Sequence, residues 1–274
     1  MIDWTHWHNE PFLTGGLIFL GWLYAILTGP LRGKLSALSS QPSAPIPYPH
    51  RPAIKFYAAL LCFYLAVGSP LDQFAERYLL SAHMLQHQIL IYPAAALFLL
   101  GLPDWLVRPV TARPLLRPLL VVLTNPVICG VLYTAVLTLW HLPYLYDWAL
   151  QNRLVHVLEH FMMFGAGLLY WWPLYSPSKE FPPISYAAQM LYLPAVIIGM
   201  TPVFAYITFS ADVLYPTYEY APRIMGFSAA SDQLLAGSMM KLIGMGVAMI
   251  AFLVSFYRWF QQSEKKSEKP QNPQ

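Results

Sequence analysis

Seven stretches of this chain are each long and apolar enough to cross a lipid bilayer, and no other feature limits the fold as strongly. They cover roughly residues 11–30, 53–71, 79–102, 118–140, 153–174, 184–209 and 231–257. A helix rises about 1.5 Å per residue, so about 20 mostly apolar residues span the hydrocarbon core. Lipid offers no partner to a bare N–H or C=O, so a spanning segment must satisfy its own backbone, as a helix does. The second stretch is the shortest, with Lys55 at its start and Asp72 just past its end; a lysine there can reach the headgroups. Charged residues make up 11% of the chain, well below the roughly 25% of a soluble domain, and they sit between the apolar blocks. The expectation is an all-α integral membrane protein. Its seven-transmembrane helix bundle forms a single domain over residues 1–260, and a disordered cytoplasmic tail follows over 261–274.

Basic residues set the expected orientation, because cytoplasmic loops carry an excess of Lys and Arg. Arg32, Lys34, Arg51, Lys55, Arg108, Arg113, Arg117, Lys179, Arg258, Lys265, Lys266 and Lys269 fall in the odd-numbered loops and the tail. Only Arg77, Arg153 and Arg223 fall on the other side. The N-terminus is therefore expected outside and the C-terminus in the cytoplasm. Lys241 lies within the last span, about 13 Å deeper than Asp232.

Other classes drop out. The net charge of +3 forms no basic stripe, so no nucleic-acid partner is expected. The first ten residues lack a basic n-region, so no cleavable signal peptide is expected. Cys62 and Cys129 each lie inside an apolar block and read as buried thiols rather than as a disulfide.

Seven of the eight histidines fall on the side assigned as outer. His6 and His8 precede the first span, His83 and His87 open the third, His141 ends the fourth, and His156 and His160 open the fifth; only His50 is cytoplasmic. His83-Met-Leu-Gln-His87 and His156-Val-Leu-Glu-His160 are i, i+4 pairs, which stack two imidazoles on one helix face. Both pairs begin at the same depth, so adjacent third and fifth spans would aim four rings at one volume. Imidazole suits Zn, Cu, Fe and Ni, whereas thioether sulfur, here Met163 one turn beyond His160 and Met84 beside His87, shifts preference towards Cu(I). Asp147, Glu159 and Asp232 are candidates for an outer ligand or for the group that fixes an imidazole tautomer.

Five segments, in order, carry a resemblance: His83-Met-Leu-Gln-His87, Leu139-Trp-His-Leu-Pro143, Val155-His-Val-Leu-Glu-His160 with Trp171-Trp-Pro-Leu174, Leu214-Tyr-Pro-Thr-Tyr218, and Ser231-Asp-Gln-Leu-Leu-Ala-Gly237. They are similar to the CtaG family, multi-span assembly factors for cytochrome c oxidase in bacterial membranes. The resemblance implies a role in maturing the oxidase, through delivery or insertion of copper. It carries the family's motif histidines onto His83, His87, His141, His156 and His160, and its Asp-Gln onto Asp232 and Gln233. It gives Lys241 no role.

The leading expectation is a multi-pass, non-enzymatic assembly factor of the bacterial inner (plasma) membrane. Copper, with Cu(I) favoured and zinc left open, would sit on His83, His87, His141, His156 and His160, with Asp147, Asp232 and Met163 completing the candidate set. It would arrive from a copper donor protein and pass to cytochrome c oxidase subunits. Two rivals stand beside it. One is a membrane zinc metallohydrolase on the same His/Asp cluster, with Ser81, Asp72 and Asp147 as partners. The other is a b-type haem protein with one axial histidine from each of the third and fifth spans.

Overall fold

The computed structural model describes residue 7 and residues 10–37, 47–224 and 226–267. Those residues are mostly helical and carry no strand. In chain order the helices are α1 (Pro11–Thr28), α2 (Arg32–Ala37), α3 (His50–Val67), α4 (Pro70–Arg77), α5 (Leu80–Ile89), a π-helical turn (Leu90–Ala94), α6 (Ala95–Leu100), α7 (Asp104–Thr111), α8 (Arg117–Leu123), α9 (Pro126–Trp140), α10 (Pro143–Gln151), α11 (Arg153–Tyr175), α12 (Tyr186–Phe209), α13 (Pro216–Glu219) and α14 (Ala229–Ser267). Five spans are long and apolar enough to cross a membrane: α1, the run from Leu80 to Leu100, α11, α12 and α14. The count reaches seven if two bent pairs, α3 with α4 and α8 with α9, each make one span.

The bends have local causes. Sequence reading predicts one continuous fourth span over 118–140, but α8 and α9 meet at 69°. Pro126 has no N–H to give, and Asn125 before it is held extended (ψ 127°). The Asn125 side chain accepts instead from the amides of Val127 and Ile128, so a new helix begins there. Ser69 and Pro70 repeat the device between α3 and α4, at 43°. The final helix runs to Ser267, so residues 261–267, expected as a disordered tail, are helical. Residues 268–274 lie outside the described residues.

A π-turn around Pro93 interrupts the third span. The wider turn leaves a carbonyl to satisfy, and Trp171 Nε1 of α11 donates to Ile91 O at 3.1 Å. Gly167 makes this approach possible, since a Cβ there would lie 2.7 Å from the same oxygen. These contacts lock α11 against the third span and fix the relative height of the two helices that carry the His-x-x-x-His pairs. The surrounding core is apolar and aromatic, with Tyr133, Tyr170, Trp171, Leu193 and Met200 buried at its centre.

Candidate metal centre

Three caps hold the helix ends around the histidines. Asp232, in the first turn of α14, accepts from Leu80 N (2.6 Å), Ser81 N (3.2 Å) and Ser81 Oγ (2.5 Å). It caps α5 from another helix, where free amides and the helix dipole favour an anion. Asn152 accepts from the amides of Leu154 and Val155 and so starts α11 one turn before His156. Tyr215 donates to His141 O at 2.9 Å and holds the residue that closes α9.

The five imidazoles come together and are buried. His83 and His87 are at most 1% exposed, and His141, His156 and His160 at most 7%. Ring centroids lie 5.5 Å apart for His83 and His156, 5.7 Å for His87 and His160, and 6.0 Å for His87 and His141. His83, His156, His160 and Glu159 each offer one donor atom within 4.8 Å of the other three. Glu159 lies 3.7 Å from His83 Nε2 and 3.6 Å from His87 Nε2.

Several of these atoms have nothing to bind. Among the described residues, both Glu159 oxygens, His156 Nε2, His160 Nε2 and His87 Nδ1 are buried without a hydrogen-bond partner. A buried carboxylate with no donor is costly, and a cation is the usual compensation. Donors bound at about 2.1 Å in a tetrahedral site lie about 3.4 Å from one another; the Glu159 oxygens stand 3.7 Å from His83 Nε2 and 3.6 Å from His87 Nε2, and the four-donor group spans up to 4.8 Å. The donor set therefore fits a metal ion that takes imidazole nitrogen and carboxylate oxygen.

Neighbouring groups orient two of the rings. His156 Nδ1 donates to Glu76 Oε1 at 3.0 Å, which turns Nε2 inwards. Tyr218 donates to Ala75 O at 2.6 Å, so its oxygen accepts from His83 Nδ1 at 3.3 Å and from Tyr146 Oη at 3.1 Å. Burial pushes the phenols of Tyr146, Tyr215 and Tyr218 well above their usual pKa, so all three stay neutral donors. A cavity of about 370 Å³ reaches His156 and His160 from the protein surface, past Glu10, Asp72, Glu76 and Arg153. Glu10 pairs with Arg153 at its rim.

The other candidates are placed differently. Both oxygens of Asp232 accept from α5, and Asp232 lies outside the four-donor group. Asp147 accepts from Thr217 Oγ1 at 2.9 Å, outside the four-donor group. Met163 is fully buried in the main core; the sulfur that meets an imidazole belongs to Met84, 3.3 Å from His141 Nε2. Glu159 stands among the clustered imidazoles themselves. His50 is exposed against Tyr48, His6 and His8 lie outside the described residues, and Cys62 and Cys129 are free thiols. Lys241 donates to Thr201 Oγ1 at 2.8 Å beside the Phe204 ring.

Fold and site together define a helical membrane protein with a buried His/Glu centre suited to a metal. The chain belongs to the cytochrome c oxidase caa3 assembly factor family (Caa3_CtaG), whose family model matches residues 22–262 of its 274. It is thus a cytochrome c oxidase assembly factor, and membership points to a non-catalytic role. No curated protein and no solved structure gives a significant match.

Proposed function

We propose that this protein carries copper to cytochrome c oxidase during assembly, holding the ion in the cage of His83, His156, His160 and Glu159 with His87 at its edge. One observation carries the reading: Glu159 is wholly buried among imidazoles, with no hydrogen-bond donor among the described residues. A carrier must also release its cargo. Imidazole and carboxylate donors beside an open cavity suit that better than a closed four-thiolate cage.

The basic residues support seven spans with the N-terminus outside, taking each bent helix pair as one span. In that orientation the cage opens on the outer face of the bacterial plasma membrane. There it would receive copper from a donor protein and pass it to an oxidase subunit alongside. The cargo is copper and the protein does no chemistry on it.

Metal analysis of protein purified without added metal tests this reading. Copper bound to the wild type and lost from a His156→Ala, His160→Ala variant is expected. Zinc as the sole metal, with a hydrolysis activity that disappears in the same variant, would overturn it in favour of the metallohydrolase.

A further inference from the structure

One contact beside the cage pairs two atoms that have no reason to meet in the absence of a ligand. His141 Nδ1 lies 2.6 Å from Leu137 O. A carbonyl oxygen only accepts, so Nδ1 carries the ring proton and Nε2 of the neutral ring presents a lone pair. That lone pair faces Met84 Sδ at 3.3 Å. Sulfur is a weak acceptor with no proton to give. Two electron-rich atoms thus face each other, and both residues are buried, Met84 at 0% and His141 at 3% exposure.

The pair is held in place from several sides. Leu137 O grips one edge of the His141 ring, and Tyr215 Oη grips the His141 carbonyl at 2.9 Å. Met84 stands next to His83 on α5, whose first turn Asp232 anchors. The nearby thioether of Met162 shows the ordinary alternative: it accepts from Trp140 Nε1 at 3.3 Å. Met84 has an imidazole lone pair where Met162 has a donor.

His87 links this pair to the cage. Its Nε2 lies 2.9 Å from His83 Nε2. Since His83 Nδ1 donates to Tyr218, His83 Nε2 brings the lone pair to that contact, a lone pair that an ion in the cage would take over, and His87 Nε2 brings the proton. His87 Nδ1 is then left with a lone pair that no described group satisfies.

The geometry points to a second, softer metal seat: Met84 Sδ and His141 Nε2 bind Cu(I), separately from the His83–His156–His160–Glu159 cage, with His87 standing between the two. Thioether sulfur with imidazole selects Cu(I) over zinc and the harder divalent ions. An ion in the cage therefore has a neighbouring station of different chemistry one ring away. The inference rests on the copper reading of the cage and goes beyond it in ligand set and stoichiometry.

Anaerobic titration of the full-length protein with Cu(I), read by bound copper and by X-ray absorption at the copper edge, tests it. The wild type is expected to bind two equivalents and to show a sulfur scatterer. Met84→Leu, a swap that nearly conserves volume, is expected to bind one equivalent with nitrogen and oxygen scatterers only. His141→Ala should do the same. Met162→Leu should keep both ions and the sulfur signal. The double variant His156→Ala, His160→Ala should retain one ion with its sulfur scatterer. A single equivalent without sulfur in the wild type would overturn the second seat and leave the cage reading standing. Two equivalents persisting in Met84→Leu would also overturn it. Absence of bound copper from every form would overturn both readings together.

Discussion

Glu76 Oε1 lies 3.0 Å from His156 Nδ1, and this contact decides which face of the His156 ring meets the cage. The two residues sit on different helices, α4 and α11, and α4 is bent by 43° from α3. A carboxylate behind an imidazole also raises the basicity of the nitrogen in front.

Glu76→Ala is therefore expected to weaken copper binding by about 10- to 100-fold, the usual effect of losing a partner behind a ligand. A competition titration against a chelator of known affinity measures it. Glu76→Gln, which still accepts from Nδ1 but carries no charge, should fall between the wild type and the alanine variant.

Asp232 gives a contrasting expectation. Asp232→Ala leaves the amides of Leu80 and Ser81 buried without an acceptor, a loss of about 1–3 kcal/mol. Thermal melts in detergent should show a clear fall in stability. Copper stoichiometry of the protein that remains folded should be unchanged, because Asp232 holds α5 rather than the ion. A stable Asp232→Ala protein that binds no copper would mean Asp232 is a ligand after all.

The buried phenols fix an alkaline limit. Tyr146, Tyr215 and Tyr218 have pKa values raised in the folded protein above the ordinary tyrosine value of about 10. The unfolded chain therefore loses these protons first. The stability they contribute is complete below about pH 10 and falls as pH rises beyond it. Melting midpoints should be flat through neutral pH and drop above about pH 10. Tyr218→Phe should soften that drop, and it should also weaken copper binding because His83 loses its acceptor.

Much of this was legible in the sequence, for physical reasons. Apolar run length gave the helices, because lipid forces the backbone to satisfy itself. The spacing of His83 and His87, and of His156 and His160, gave the two ring pairs, because residues four apart share a helix face. Partners supplied by distant helices were harder to read. Glu76 behind His156, Tyr218 behind His83 and Asp232 under α5 depend on how helices pack, and spacing along one helix carries no trace of that. Glu159 is a different case: it lies between the paired histidines in sequence and reads there only as a candidate outer group. Its position beside His160 places it at the centre, because the α11 face that carries it is buried against α5. The bends at Pro70 and Pro126 were visible as prolines, but their consequence was not: a capping residue before each lets a new helix start at an angle.

Topology has its own check. Single cysteines at positions 8 and 217 should react with an impermeant thiol reagent from outside, and cysteines at 40 and 265 should not, in a chain freed of Cys62 and Cys129. Labelling at 265 from outside would reverse the orientation and move the cage to the cytoplasmic face.

If copper reaches the oxidase through this cage, the copper content of the oxidase itself depends on the cage histidines. Oxidase purified from cells carrying His83→Ala with His156→Ala is expected to be deficient in copper. The assembly factor should still accumulate, because helix packing rests on close contact between helices more than on ligands gathered at one end. Added copper should partly restore either single variant, whose site is weakened about 10- to 100-fold, and should fail to restore the double variant. Normal copper in the oxidase of the double variant, with the factor present at wild-type level, would contradict the account.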